Sequence, residues 1–201
     1  MRIVLASASP RRKALLSALG LPVEVIVSDA PEVDHGGRPE TIVGDNARAK
    51  RDAVLARMNG PAVVIAADTL VFLGGHVLSK PADAAEARTM LRRLSGATHE
   101  VVTGLAVADT ATGRTAQGSE TTHVTFRELS DAEIARFVDA VNPVDRAGAY
   151  TVDGPGSLLV ARYEGCYQNV LGLPIVRLDQ LLRELDIRLF DLMQPSLARF
   201  L

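Results

Sequence analysis

The apolar run from residue 63 to residue 67 constrains the fold more than any other stretch of this chain. Five consecutive apolar residues followed by Asp68 are typical of a strand that is buried on both faces and ends at an acid. Two further apolar runs follow, separated by Gly74-Gly75, and this pattern predicts a hairpin with a tight turn. The hairpin would bring Lys80 back beside Asp68. This pairing suits a phosphate or metal site, although an aspartate that only caps a turn fits the segment equally well.

Length and charge limit the class of protein. With 201 residues, 47% of them hydrophobic, the chain can build one good-sized core or two lobes that share one. A net charge of −2 argues against a protein that coats nucleic acid or a membrane, and the apolar runs are too short to span a bilayer. The N-terminus does not resemble a signal peptide, and the single cysteine, Cys166, excludes an intrachain disulfide and a cysteine zinc cluster. We therefore expect a soluble cytoplasmic protein.

The turn at residues 6–13 has the features of an anion site. Ser9 fits the N-cap of a helix and Pro10 fits its first position, whose amide needs no partner. Free backbone amides therefore lie beside hydroxyl and guanidinium groups, which belong to Ser7, Ser9, Arg11 and Arg12. The helix dipole and the guanidinium groups attract the same charge, which favours a polyanion such as a triphosphate. Ordinary capping beside a solvated basic turn is the alternative.

A second helix is predicted from Glu40 to Met58, with a lysine in its apolar stripe. The apolar residues recur at helical spacing: Val43, Ala47, Val54 and Met58. Lys50 falls inside this stripe, so its side chain either extends to solvent or points at a buried anion. The preceding loop, residues 28–39, contains Glu32 in an acidic cluster that either reaches a metal or is an ordinary solvated loop.

The remaining pattern predicts an α/β fold with a mixed sheet flanked by helices. Thr98–Ala108 and Thr115–Arg127 are predicted to form an antiparallel pair of strands, which makes the sheet mixed. Further helices are expected near residues 83–94, 130–142 and 174–185. No repeat, low-complexity segment or flexible linker divides the chain. We therefore expect a single domain over residues 1–201, in which residues 187–201 form an amphipathic C-terminal tail.

Several common nucleotide and hydrolase motifs are absent from the sequence. It has no Walker loop, no Gly-x-Gly-x-x-Gly after a strand and no Gly-x-Ser-x-Gly elbow, and its four histidines lack ligand spacing. What remains is a set of candidate cations and acids: Arg11, Arg12, Lys50, Lys80, Glu32, Asp68 and Asp153. Such groups fit metal-assisted attack of water on a phosphoanhydride.

Five short motifs, in their order along residues 2–186, resemble those of the Maf family. They are Leu5-Ala6-Ser7-Ala8-Ser9-Pro10-Arg11-Arg12, Ala67-Asp68-Thr69 with Lys80-Pro81, Ser95-Gly96-Ala97-Thr98-His99-Glu100-Val101-Val102-Thr103-Gly104, Ala147-Gly148-Ala149-Tyr150 and Asn169-Val170-Leu171-Gly172-Leu173-Pro174. Maf proteins are nucleoside triphosphate pyrophosphatases, once named for an effect on septum formation. The resemblance implies an elongated α/β domain on a mixed, bent sheet, similar to inosine triphosphate pyrophosphatases, with a cleft between two lobes.

The resemblance also implies a reaction and roles for the site residues. Water would attack the α-phosphorus and release a nucleoside monophosphate and pyrophosphate, with Mg²⁺ or Mn²⁺ present. Asp68 would act as general base or through the metal, Glu32 would be a second acid at the metal, and Lys50 and Lys80 would be catalytic cations. Phosphate-contacting positions would also include Ser7, Ser9, Arg11 and Arg12. We expect a nucleoside triphosphate as the partner, no nucleic acid or membrane, and a chain that is able to form a homodimer.

At two discriminating positions, the residues of this chain resemble those of the branch of the family that acts on dTTP, UTP and CTP. They are Arg11, after the Ser-Pro pair, and Thr69, after the implied catalytic acid. The third discriminating position, usually glutamine in that branch, is Asp153, which accepts hydrogen bonds but cannot donate when ionised. Activity on dTTP and UTP is therefore the main hypothesis. A 7-methyl-GTP pyrophosphatase and a nucleotide-binding regulator of cell division without turnover are the alternatives.

Overall fold

A mixed sheet of seven strands forms the centre of the computed structural model, which describes residues 1–199. The strands are β1 Ile3–Leu5, β2 Val23–Val25, β3 Val63–Leu73, β4 His76–Leu78, β5 Thr98–Asp109, β6 Arg114–Phe126 and β7 Val160–Glu164. Their order is β2-β1-β3-β5-β6-β7, and β4 pairs with β3. β1 is parallel to β2 and β3, whereas the other pairs are antiparallel. The predicted mixed sheet and the hairpin at Gly74-Gly75 are confirmed.

Helices cover the sheet, as predicted. They are α1 Pro10–Ala18, α2 Pro39–Leu55, α3 Ala84–Leu94, α4 Asp131–Val141, α5 Tyr167–Val170, α6 Ile175–Arg183 and α7 Leu189–Leu192. Ser9 is the N-cap of α1 and accepts a bond from the amide of Arg12, with Pro10 in the first turn. α2 ends three residues before the predicted Met58. Among residues 1–199, no helix combines the length and the apolar character needed to cross a bilayer.

The long strands β3, β5 and β6 run through two lobes. At one end, helices α1 and α6 bury a cluster that includes Leu5, Leu16, Ile65, Leu105 and Leu182. At the other end, helices α3 and α4 bury a cluster that includes Val71, Leu91, Leu94, Phe126 and Ile134. Along β3, Ala67 belongs to the first cluster and Val71 to the second, so Asp68 and Thr69 lie where the lobes meet.

The prediction that the central strand ends at Asp68 is wrong. β3 continues to Leu73, because the ladder with β5 persists past the acid, pairing Asp68 with Gly104 and Thr69 with Thr103. The apolar residues that follow Thr69 supply the burial that keeps the chain extended. The acid therefore lies in the middle of a strand at the junction of the lobes, where it is buried.

Gly104 allows α2 to approach the sheet beside Asp68. A methyl group at residue 104 would lie 2.2 Å from the carbonyl oxygen of Val43 in α2, which is far inside van der Waals contact. The missing side chain therefore brings the backbone of α2 against β5. As a consequence, polar groups on the inner face of α2 reach the carboxylate of Asp68.

Gly104→Ala is expected to lower the free energy of unfolding by about 1–3 kcal/mol or more, because the clash is with backbone and no rotamer change relieves it. Thermal and denaturant unfolding would measure the change. Gly44→Ala is the matched control, since Gly44 lies in α2 with no atom within 4 Å of the added methyl group. The control should be neutral or stabilising by up to about 1 kcal/mol. Equal unfolding of Gly104→Ala and the wild type would contradict this account of the packing.

The predicted C-terminal tail lies against the end of α1. Leu189 is buried, and the amide of Gln194 donates to the carbonyl of Gly20 over 3.0 Å. Phe190 leaves 77% of its surface exposed. Residues 200–201 of the tail lie outside the described residues. The single domain and the homodimer stay predictions.

Candidate active site in the cleft between the lobes

A cavity of about 520 Å³ opens at the junction of the lobes. All ten predicted site residues line it: Ser7, Ser9, Arg11, Arg12, Glu32, Lys50, Asp68, Thr69, Lys80 and Asp153. They come from the β1–α1 turn, the loop before α2, α2 itself, β3, the end of the β3–β4 hairpin and the segment before β7. The structure therefore brings together residues that are far apart in the sequence.

Lys50 bridges the two predicted metal-site acids. Its Nζ lies 2.7 Å from Oδ1 of Asp68 and 2.5 Å from Oε1 of Glu32. The lysine side chain is 10% exposed and that of Asp68 6%, whereas the side chain of Glu32 is half exposed. Of the two alternatives for this lysine, contact with a buried anion is the one observed. Since an ammonium group has three donors, one N–H of Lys50 is left for a further acceptor.

Asn46 is a site residue that the sequence analysis missed. Its Nδ2 donates to Oδ2 of Asp68 over 2.8 Å and to the carbonyl oxygen of Val33 over 2.7 Å. Its Oδ1 accepts from the amide of Val33 over 2.9 Å, which fixes the orientation of the amide. A polar residue four positions before Lys50 on the buried face of a helix was the signal that could have found it. Asn46 thus ties both the loop before α2 and the carboxylate of Asp68 to α2.

Arg12 is a buried cation held by neutral acceptors. Its Nε donates to the carbonyl of Gly172 over 2.8 Å, Nη1 to Oγ of Ser7 over 3.0 Å and Nη2 to Oγ1 of Thr69 over 2.9 Å. Burial lowers the pKa of Arg12, an effect that the nearby charge of Asp68 opposes. The guanidinium stays charged. Because none of these three contacts neutralises it, an anion in the cleft would be attracted.

A chain of hydroxyl groups fixes the acceptor that faces Arg12. Oγ1 of Thr69 and Oγ1 of Thr103 lie 2.8 Å apart in a hydrogen bond, and the carbonyl of Asn169 is 3.3 Å from Oγ1 of Thr103. The hydroxyl of Thr69 then presents its lone pair to Nη2 of Arg12. Thr69 also has a backbone carbonyl within reach, that of Gly172 at 3.5 Å, so either hydroxyl of the pair can be the donor. Thr69 therefore orients Arg12, and β5 supports both.

Lys80 reaches the cleft but is not a direct partner of Asp68. Both residues line the cavity, yet the side-chain partners of Asp68 are Lys50 and Asn46. The hairpin has a second effect, because Oγ of Ser79 donates to Oδ2 of Asp34 over 2.5 Å. The hydrogen bond from Ser79 lowers the pKa of Asp34. This contact ties the hairpin to the loop that supplies Glu32.

Two positive and two negative side chains of the cleft lie near one another: Arg11, Arg146, Asp145 and Asp153. Burial lowers the pKa of Arg11, and the charge of Arg146 adds to the effect. Burial favours the neutral form of Asp153, but hydrogen bonds from Thr151 and its own backbone, with the two arginines, lower the pKa of Asp153 below its usual value. Asp153 is therefore ionised at neutral pH.

The acids of the cleft fit a hard divalent cation that is held by few protein ligands better than a metal that needs three or more. Across the described part of the chain, no three His, Cys, Asp or Glu residues are grouped as ligands. Asp68 and Glu32 nevertheless converge on Lys50, so two carboxylates lie side by side. Mg²⁺ is commonly held by one or two carboxylates together with substrate phosphates, and these two acids match that donor set.

Known proteins include relatives of this chain. The curated relatives include proteins named dTTP/UTP pyrophosphatase from Pelotomaculum thermopropionicum, 43% identical over 90% of this chain and 95% of the relative. The protein of that name from Thermoanaerobacter pseudethanolicus is 44% identical over 94% of this chain and 100% of the relative. The one from Bacillus cereus is 44% identical over 92% of this chain and 96% of the relative. A HAM1 protein from Coxiella burnetii is a structural neighbour, with a TM-score of 0.44 and 18% identity over 63% of this chain and 73% of that chain. The family model described as Maf-like protein matches residues 2–185, and the chain belongs to the Maf family.

Proposed function

We propose that the protein hydrolyses nucleoside triphosphates, UTP and dTTP foremost, to the monophosphate and pyrophosphate. The observation that carries the proposal is the buried carboxylate of Asp68, held by Lys50 and Asn46 in the same cleft as Arg12. The names of the relatives, dTTP/UTP pyrophosphatase, support this choice of substrate.

The cations of the cleft suit the polyphosphate chain. Arg12 has a fixed orientation, and Arg11 and Lys80 line the same cavity. Lys50 has one N–H left for a phosphate oxygen beside Asp68. In the proposed reaction, water attacks the α-phosphorus, the bond to the β-phosphate oxygen breaks and pyrophosphate leaves. The proton of the attacking water passes to the carboxylate of Asp68.

Asp68 and Glu32 would hold the Mg²⁺ or Mn²⁺ ion that this chemistry uses. When bound, the cation neutralises phosphate charge and stabilises the charge that develops on the leaving oxygen. Lys50 positions both carboxylates with one ammonium group, at 2.7 Å from Asp68 and 2.5 Å from Glu32. Asn46 keeps the second oxygen of Asp68 oriented.

The acids also argue for turnover over binding alone. A protein that only binds a polyanion gains nothing from a buried aspartate beside the phosphates, because like charges at close range repel by about 4 kcal/mol at an effective dielectric constant of about 20. A role as base or metal ligand makes the same carboxylate useful. A nucleotide-binding regulator without turnover is therefore the weaker candidate.

A nucleotide panel tests the proposal. We expect UTP and dTTP, incubated with Mg²⁺ or Mn²⁺, to yield pyrophosphate and the monophosphate in equal amounts, with chelator abolishing both. Release of orthophosphate would indicate a phosphatase. If no nucleotide yielded any product, the protein would be a nucleotide-binding regulator without turnover. A marked preference for 7-methyl-GTP would overturn the choice of a pyrimidine.

The ionised Asp153 predicts a preference among pyrimidines. A carboxylate accepts from the N3–H group of uracil or thymine, which cytosine lacks. We expect kcat/KM for UTP and dTTP to exceed that for CTP roughly 5- to 150-fold. This ratio corresponds to a difference of about 1–3 kcal/mol in the free energy of the transition state. Asp153→Gln should narrow this ratio, because an amide also donates. Equal rates for CTP and UTP in the wild type would show that Asp153 does not contact the base.

A further inference from the structure

Lys50 holds the same two carboxylates that the proposed metal site needs. Its Nζ lies 2.7 Å from Oδ1 of Asp68 and 2.5 Å from Oε1 of Glu32. Because the stem of Lys50 is buried in the inner face of α2, the ammonium group is directed at these oxygens. Oδ2 of Asp68 accepts from Nδ2 of Asn46 over 2.8 Å. Both oxygens of Asp68 therefore have a donor from α2.

A divalent cation on these oxygens would lie close to the ammonium group. Carboxylate oxygens bind Mg²⁺ at about 2.0–2.1 Å. An ion in contact with Oδ1 of Asp68 would be within about 4.8 Å of Nζ of Lys50, since both touch the same oxygen. Positive charges at this separation repel, and the burial of Asp68 and Lys50 reduces the screening by water. The ion and the ammonium group therefore compete for the acids.

The charges that line the cavity give a divalent cation little compensation for this repulsion. Five lining side chains are cations: Arg11, Arg12, Lys50, Lys80 and Arg146. Four are acids: Glu32, Asp68, Asp145 and Asp153. The cations outnumber the acids, so the cavity attracts anions more than cations. A polyphosphate reverses the sign and offers its oxygens to the ammonium group of Lys50, which has a donor to spare.

We propose that Lys50 is a built-in competitor of the divalent cation. It neutralises Asp68 and Glu32 until a nucleotide arrives, and it shares them with the ion once it donates to a phosphate oxygen. The inference rests on the proposed function for the identity of both ligands. It adds an order of binding, in which the cation enters with the nucleotide or after it. A lysine that only supported the metal site would act in the opposite sense, because its removal would weaken binding of the ion.

Binding of Mn²⁺ to Lys50→Met without nucleotide tests the proposal. Methionine keeps much of the apolar stem of lysine but has no charge. With free Mn²⁺ measured by electron paramagnetic resonance, we expect the Kd to fall about tenfold or more below that of the wild type. Lys80→Met is the matched control, because Lys80 lines the same cavity but is exposed and, within residues 1–199, pairs with neither acid. Its Kd should stay within about threefold of the wild type, since an exposed charge is screened.

A Kd for Lys50→Met that equals or exceeds that of the wild type overturns the inference. An equal gain in Lys80→Met does so too, because the cause would then be the charge of the whole cavity. Should Lys50→Met fail to fold, Lys50→Gln retains an N–H donor for Asp68 without the charge, and we expect its Kd to fall about threefold or more.

A double variant locates the ion. Lys50→Met combined with Asp68→Asn should lose the gain in Mn²⁺ affinity, because an amide is a poor ligand for a hard cation. A gain that persisted in the double variant would place the ion away from Asp68 and contradict the competition. Equilibrium binding of Mn²⁺ needs neither nucleotide nor turnover, so failure of the proposed hydrolysis is a separate result.

Discussion

Asp68→Asn is expected to reduce kcat by about 10²–10⁴-fold or more while the protein stays folded. An amide has nearly the same shape as a carboxylate but is neither a base nor a good ligand for a hard cation. It can satisfy only one of the two donors that Asp68 accepts from, Nζ of Lys50 and Nδ2 of Asn46. The other contact is lost at a cost of about 1–3 kcal/mol, which is below the stability of a typical domain.

Rates of pyrophosphate release and thermal unfolding, measured on the same variant, separate the loss of catalysis from the loss of stability. Asp45→Asn is the matched control, because Asp45 lies in α2, pairs with Arg48 and is half exposed. The control should keep wild-type turnover and stability. If Asp68→Asn turned over UTP at the wild-type rate, Asp68 could not be the base or a necessary metal ligand.

The sequence predicted the elements of the fold where local patterns decide them. The Ser9-Pro10 start of α1 and the turn at Gly74-Gly75 depend on a few adjacent residues, and both are present. The end of β3 was misplaced because a polar residue in an apolar run resembles a terminus. Whether such a residue ends a strand depends on the partner strand, and β5 continues the ladder past Asp68. That information lies about 35 residues further along the chain.

The residues that line the cavity could be predicted from the sequence, but the contacts between them could not. All the predicted residues line one cavity, yet the hairpin pattern paired Asp68 with Lys80, whereas Lys50 makes the contact. The difference depends on the approach of α2, which Gly104 controls through backbone packing that no local pattern encodes.

Arg12→Ala is expected to weaken binding of tripolyphosphate by about 100-fold or more, since a buried guanidinium makes charge-assisted bonds of roughly 1.5–3 kcal/mol each. UMP, with one phosphate, should lose less. The protein should also become less stable by about 1–3 kcal/mol, because Ser7, Thr69 and the carbonyl of Gly172 lose their donor. Lys13→Ala is the control, since Lys13 is exposed on the same helix.

Arg12→Lys separates charge from geometry. A lysine restores the positive charge, but its ammonium group cannot reproduce the planar fork that contacts Ser7, Thr69 and Gly172 at once. If the orientation set by the hydroxyl chain matters, Arg12→Lys should recover only a small part of the lost tripolyphosphate affinity. Full recovery would mean that charge alone suffices. In that case the Thr69–Thr103 contact serves only to hold β3 against β5. The variant Thr103→Val, which lacks this contact, should then unfold more easily than the wild type but bind tripolyphosphate with the same affinity.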